Sequence, residues 1–153
     1  KVRLLVDERL RITAEAAPLP DTPRPARVAL ATQPMPPADA FIRHKTTQRT
    51  AYAAFQPPPG CFDTLLYNAA GELTEFTIGN LALCLDGQWF TPPVSDGLLP
   101  GVMRQSLLNG GQLTERSLPL TSLHQASAMA LINSVRGWLD VADIPLPPNQ
   151  SPA

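Results

Sequence analysis

Proline decides where this chain can form regular structure. The 153 residues include 18 prolines, about twice the usual share, and most lie in Pro18 to Pro37, Pro57 to Pro59 and Pro145 to Pro152. Proline lacks a backbone N–H and has a fixed φ, so such clusters form extended, poorly hydrogen-bonded segments rather than helices. They read in turn as a connector, a rigid helix-to-strand turn and a tail. Regular elements are confined to the windows between them.

The first window, Val2 to Val6 with Leu10 to Thr13, carries β-type residues on both sides of Asp7-Glu8-Arg9 and predicts a hairpin. Ala26 to Thr32 is a further strand candidate. Ile42 to Phe55 lacks proline and glycine and spaces Ile42, Arg49, Tyr52 and Phe55 as a helix would, so a helix is expected there, following Lys45. Strands are expected over Phe62 to Tyr67, Leu73 to Phe76 and Leu81 to Leu85, the last ending at the hairpin signal Asp86-Gly87 before Trp89-Phe90. Gly101 should open a helix that Asn109-Gly110-Gly111 stops. A strand over Glu115 to Leu120, a short helix Thr121 to Gln125 capped by Thr121, and strands Met129 to Asn133 and Trp138 to Val141 complete the reading. Short, mainly antiparallel strands with a few helices and no β-α-β alternation make the fold class α+β.

One domain fits this length, with a core of its own. A net charge of −1, with Lys and Arg scattered, offers no basic stripe for nucleic acid. Cys61 and Cys84 are too few and too poorly flanked for a metal site or disulfide framework, which suits a reducing cytosol. No apolar run approaches the ~20 residues of a membrane span, and no leader pattern is visible. A soluble, cytoplasmic protein without metal is expected.

Four landmarks stand in fixed order. Lys45 lies in Arg43-His44-Lys45-Thr46-Thr47-Gln48-Arg49, and Glu75 in Leu73-Thr74-Glu75-Phe76-Thr77-Ile78-Gly79-Asn80-Leu81. Leu99-Pro100-Gly101-Val102-Met103-Arg104 and Asn133-Ser134-Val135-Arg136-Gly137 follow. Together, from about Arg43 to Val141, they resemble the C-terminal half of the fold-type IV pyridoxal-phosphate enzymes. That group holds the branched-chain and D-amino-acid aminotransferases and 4-amino-4-deoxychorismate lyase, and the lyase branch is the nearer likeness. The resemblance implies a barrel-like sheet with short helices.

It also implies roles. Lys45 would carry pyridoxal 5'-phosphate, and its amine reacts only when unprotonated, so burial or a cation such as Arg43 or Arg49 should lower its pKa. Glu75 would pair with the pyridine nitrogen, and Asn80 would hold the turn or the cofactor hydroxyl. The helix opening at Gly101 points free N–H groups and a positive dipole end at an anion, so the amides of Val102 and Met103 would seat the phosphate. Leu99 would support the ring from below, and Arg49 would join the cofactor site. Asn133-Ser134 resembles a turn that binds a substrate carboxylate. His44 would orient the site, and His124 would be structural.

The resemblance implies a lyase that converts 4-amino-4-deoxychorismate to 4-aminobenzoate and pyruvate, in the folate pathway, working as a homodimer on a small-molecule substrate. Met103, where transaminases commonly have threonine, and Asn133-Ser134 favour the lyase. A transaminase of the same fold is the alternative, and an inactive assembly domain is a second. Residues 1–41 are expected to be the remnant of an N-terminal domain, 42–144 the cofactor domain and 145–153 a tail. The chain would then be the back end of a longer protein, such as a fusion with the synthase that makes the substrate. Family members draw a phosphate-binding arginine from that N-terminal domain. One lost charge-assisted hydrogen bond would weaken cofactor binding roughly ten- to a hundredfold.

Overall fold

The computed structural model describes residues 1–36 and 44–145. Ten strands are defined among them. They are β1 (Val2–Val6), β2 (Ile12–Ala16), β3 (Val28–Leu30), β4 (Asp63–Tyr67), β5 (Leu73–Phe76), β6 (Asn80–Leu85), β7 (Gln88–Thr91), β8 (Thr114–Glu115), β9 (Ala128–Asn133) and β10 (Gly137–Asp140). One α-helix, α1, spans Val102–Asn109, and 3-10 helices cover Thr50–Phe55, Val94–Asp96 and Leu120–His124.

β3 to β10 form one sheet in the order β10-β9-β6-β5-β4-β3, with β7 beside β6 and β8 beside β7. The two ends of that row meet. Ala26, just ahead of β3, bridges Val141, just after β10, and its N–H donates to Asp140 O at 2.8 Å while its carbonyl accepts from Ala142 N at 2.7 Å. The sheet is therefore curled until its edges touch, which leaves few free strand edges. The result is an α+β fold with a mixed, mainly antiparallel sheet; only the β3–β4 and β7–β8 pairs run parallel.

Alternation along the strands divides the core into layers, because successive side chains leave a strand on opposite faces. Leu81, Leu83 and Leu85 of β6 meet Met129 and Leu131 of β9 and Leu65 and Leu73 inside the curl. The intervening Ala82, Ala130 and Ile132 face outward and receive Leu107 of α1 and Leu113. Ala82 lies directly opposite Ala130, so two small side chains admit the helix close to the sheet. Leu66 points out through the other flank and packs with Ala31, Met35, Tyr52 and Phe55. Asp86 and Gly87 both have positive φ, 51° and 78°, the backbone of the two-residue turn that this dipeptide favours.

The hairpin β1–β2 pairs Val2 with Ala16, Leu4 with Ala14 and Val6 with Ile12, which makes one face wholly apolar. Val2, Leu4, Val6 and Ile12 are all well exposed.

Several sequence expectations need correction. The part of the Ile42–Phe55 helix that lies within the described residues is only the 3-10 helix Thr50–Phe55, while 44–49 have no helical hydrogen bonding; Arg43 lies outside the described residues. The strand expected over Glu115 to Leu120 shrinks to Thr114–Glu115, because Leu118 turns into the core and Leu120 N bonds Gly71 O instead. Thr121 caps nothing: the residue before the Leu120–His124 helix is Pro119, and no side chain caps it. The tail beyond Pro145 lies outside the described residues.

Arg104 fixes the start of α1 in an unusual way. Its side chain is 1% exposed, yet it carries a full charge, met by Pro92 O at 2.6 Å and by Glu115 Oε1 at 2.5 Å. Glu115 is itself half exposed, so water can take only part of its place beside a guanidinium that is buried. Glu115→Ala should therefore destabilise the chain by about 1.5 kcal/mol, the scale of one hydrogen bond to a charged group, with Glu115→Gln losing less; urea denaturation of the two variants measures the difference.

Candidate functional site

The site grows from the β5–β6 hairpin. Glu75 of β5 pairs with Asn80 of β6 across a tight connection, Thr77-Ile78-Gly79. Three side chains from other elements grip that connection. Asp63 accepts from Thr77 Oγ1 at 2.5 Å and from Ile78 N at 3.2 Å. Arg49 donates to Thr77 O at 2.5 Å, and Asn133 Nδ2 donates to Ile78 O at 3.1 Å. Gly79 is needed for space, because a Cβ there would fall 2.7 Å from Leu131 Cδ2 and 2.8 Å from Ile132 O.

Glu75 is only 4% exposed, and both carboxylate oxygens have donors. Oε1 accepts from Tyr52 Oη at 2.8 Å, and Oε2 from Leu99 N at 3.2 Å, with Asn80 Nδ2 at 3.5 Å. Asn80 Nδ2 also donates to Leu99 O at 2.8 Å, so one asparagine ties the strand to the loop before α1. Burial pushes the Glu75 carboxyl up to about 7, against the opposing pull of the Tyr52 and Leu99 hydrogen bonds and of the nearby charges of Arg49 and Lys45.

Lys45 lies on the irregular segment before the 3-10 helix Thr50–Phe55 and lines an open cleft with His44, Thr46, Gln48, Arg49, Tyr52 and Leu99. It is exposed, so the burial expected of it is not present. Arg49 is held at two points, by Thr77 O and by the ring of Tyr52, whose centroid lies 4.4 Å from its guanidinium carbon.

The far wall of the site is the start of α1. Gly101 is its N-cap, and no side chain caps it, so the first amides of the helix are without intrahelical partners. A Cβ on Gly101 would collide with Asn80 Oδ1. Val102 is 79% exposed, which leaves this helix end open. Contacts thus run from Arg49 through Tyr52 to Glu75, on to Asn80 and Leu99, and to Gly101, and Lys45 shares the cleft with Arg49, Tyr52 and Leu99. The donor set suits a flat anionic heterocycle: a carboxylate for a ring nitrogen, an amine for an aldehyde, and backbone amides for a phosphate.

Asn133 and Ser134 stand apart from this chain of contacts. The Asn133 side chain is spent on structure, since its Oδ1 accepts from Val135 N at 3.0 Å and Arg136 N at 2.8 Å while its amide holds Ile78 O. Ser134 is exposed. His124, at the end of the Leu120–His124 helix, is exposed as well. Two residues of this neighbourhood escaped the sequence reading. Tyr52 counted there only as a helix-face residue, and Asp63 carried no signal at all.

Residues 5–144 match the amino-transferase class IV family. The chain belongs to that family. A Schizosaccharomyces pombe protein described as a candidate aminodeoxychorismate lyase is 43% identical over 77 residues, 48% of this chain and 33% of the relative. The matched stretch thus spans a third of that relative's length. A Mesorhizobium loti protein described as a candidate amino-acid aminotransferase has a crystal structure that superimposes with a TM-score of 0.85 at 30% identity, over 94% of this chain and 72% of its own. The branched-chain amino acid aminotransferase of T.th., solved with N-(5'-phosphopyridoxyl)-L-glutamate, shares the fold with a TM-score of 0.68 at 18% identity, over 79% of this chain and 45% of its own. The fold is that of the fold-type IV enzymes, a family that uses pyridoxal phosphate.

Because the folded-state pKa of Glu75 is raised above its ordinary 4.5 to about 7, the folded chain binds the proton more tightly than the unfolded one. Its contribution to stability is present below about pH 4.5 and is lost as pH rises through about 7, a loss of about 3 kcal/mol at most. Glu75→Gln should remove that loss and be the more stable protein at pH 8. Urea denaturation of both proteins at pH 5 and pH 8 checks this.

Proposed function

We propose that this chain is the cofactor-bearing part of a pyridoxal-phosphate-dependent lyase of the aminodeoxychorismate type. The observation that carries the reading is one cleft that collects an accessible amine, Lys45, within the electrostatic reach of a buried carboxyl, Glu75. The resemblance of the S. pombe relative over half of this chain supports the lyase branch.

Pyridoxal phosphate would supply an electron-accepting ring to which a bond at the substrate's α-carbon can release its electron pair. This chain's residues would hold and use it. Lys45, exposed on its irregular segment, would bind the aldehyde carbon and later take the α-proton on its amine. Glu75 would hold a proton at the ring nitrogen: a cation placed against the carboxyl favours its ionised form, and the hydrogen bonds from Tyr52 and Leu99 already favour it. The amides of Val102 and Met103 would hold the phosphate, and Leu99 would lie against the ring. Asn133 would act through the Ile78 connection, and Ser134, with its exposed hydroxyl, is the better candidate of the pair for a substrate carboxylate. The substrate would be 4-amino-4-deoxychorismate, and the products 4-aminobenzoate and pyruvate.

A class IV transaminase is the second reading. The M. loti neighbour, with its TM-score of 0.85, favours it. The two readings separate by product, since only the lyase releases pyruvate from its substrate without an amino acceptor.

Two substitutions test the proposal. With pyridoxal phosphate added, the chain should gain a visible absorption band and, after borohydride, the mass of one attached cofactor; Lys45→Ala should gain neither. In the complete protein, Glu75→Gln should retain the cofactor and lose at least about a hundredfold in turnover, the scale of one removed electrostatic group. Unchanged turnover would take Glu75 out of this role.

A further inference from the structure

Tyr52 is placed unlike an ordinary core tyrosine. Its ring is 8% exposed and packs among Ala31, Met35, Phe55 and Leu66, a place that phenylalanine would fill equally well. Its hydroxyl donates to Glu75 Oε1 at 2.8 Å, inside the protein. Glu75 makes no ion pair among the described residues, so hydrogen bonds and the more distant charges of Lys45 and Arg49 are what stabilise its ionised form. Of these, the Tyr52 bond opposes the effect of burial most strongly. The other face of Tyr52 meets the Arg49 guanidinium 4.4 Å from the ring centroid. Arg49 lies four residues after Lys45 on a segment with no helix of its own.

We propose that Tyr52 is a positioning residue of the cofactor site: its hydroxyl fixes one oxygen of Glu75, and its ring, under Arg49, registers the Lys45 segment against that carboxylate. The inference rests on the reading of this cleft as a pyridoxal-phosphate site. Each carboxylate oxygen has two lone-pair directions. Tyr52 takes one on Oε1 and Leu99 N one on Oε2, so the carboxylate is oriented and can still accept from a ring N–H. A freely rotating carboxyl would have to be ordered at the moment of binding, which costs affinity. Tyr52 also joins the two halves of the site that sequence keeps apart, the segment that bears the amine and the strand that bears the acid.

The test needs no cofactor. With glutamate labelled by ¹³C at the side-chain carboxyl, the Glu75 resonance, assigned by its loss in Glu75→Gln, is titrated in wild type and in Tyr52→Phe. The midpoint should rise by about one pH unit in Tyr52→Phe, the effect of one lost hydrogen bond to a charged group. Near-ultraviolet circular dichroism checks that the variant is folded. Replacing the chain's two tyrosines by 3-fluorotyrosine, a stronger donor of nearly the same shape, should move the midpoint down instead. A second variant, Tyr52→Leu, removes the ring as well and should speed amide exchange over 44–50 severalfold relative to Tyr52→Phe. A Glu75 midpoint that ignores both tyrosine changes, or exchange that is equal in the two variants, overturns the assignment. If the midpoint moves as expected but wild type gains neither band nor mass with pyridoxal phosphate, Tyr52 does orient Glu75 and it is the cofactor reading that falls.

Discussion

A buried carboxyl group that makes no ion pair among the described residues is the constraint from which the site is built. Taking an unpaired carboxylate out of water is costly enough that the group would rather keep its proton, and Glu75 is poised near neutrality for that reason. Everything around it reads as an answer to that cost. Tyr52, Leu99 N and Asn80 each bring a donor to it, and each comes from a different part of the chain. Satisfying one carboxyl therefore draws together the 3-10 helix Thr50–Phe55, the loop before α1 and strand β6. A side chain that a stable core would have replaced by leucine becomes the point at which three elements are joined.

A second carboxyl plays a parallel role one step back. Asp63 is 1% exposed, and burial raises its pKa too, against hydrogen bonds from Thr77, Thr64 and Ile78. It faces the hairpin connection rather than the cleft. Asp63 holds the turn from the β4 side, Asn133 from the β9 side and Arg49 from the Lys45 segment. Three backbone groups of a three-residue connection are thus bonded to side chains from three directions. With Gly79 leaving no room for slack against Leu131, the direction in which Glu75 and Asn80 leave the turn is fixed by the barrel rather than by the turn's own residues.

The strands were legible because alternation marks them. Leu81-Ala82-Leu83-Cys84-Leu85 alternates large and small, and the structure uses both faces, large side chains inside the curl and Ala82 under α1. The order Lys45, Glu75, Gly101 was legible as a family motif; in the structure Lys45 lies within electrostatic reach of Glu75, and Asn80, the strand partner of Glu75, abuts Gly101. What could not be read was set by contacts distant in sequence. The spacing of Arg49, Tyr52 and Phe55 fits a helix, yet the first two are turned toward Thr77 and Glu75, and only six residues wind, as a 3-10 helix. Asn133 matched a substrate-binding turn, but an asparagine at a strand end also suits capping its own turn, and that local use is the one the structure shows. Asp63 has no pattern around it, because its partners in the hairpin connection are fourteen and fifteen residues away.

The contrast between clamped and exposed parts of the site follows from the same packing. Glu75, Asn80 and Gly101 sit on elements clamped by the sheet, where a misplacement of one would strain the others. Lys45 sits on an exposed segment tethered at Arg49 and Tyr52 alone among the contacts described. A carrier amine must reach an aldehyde carbon, release it, and reach a substrate proton, so it needs travel that a strand-borne residue lacks. An acid at a ring nitrogen needs the opposite, because its effect depends on a hydrogen bond whose strength falls steeply with distance and angle. Under the proposed function each group would stand on the kind of backbone its task requires, and the hydroxyl of Tyr52 would be where the two kinds meet.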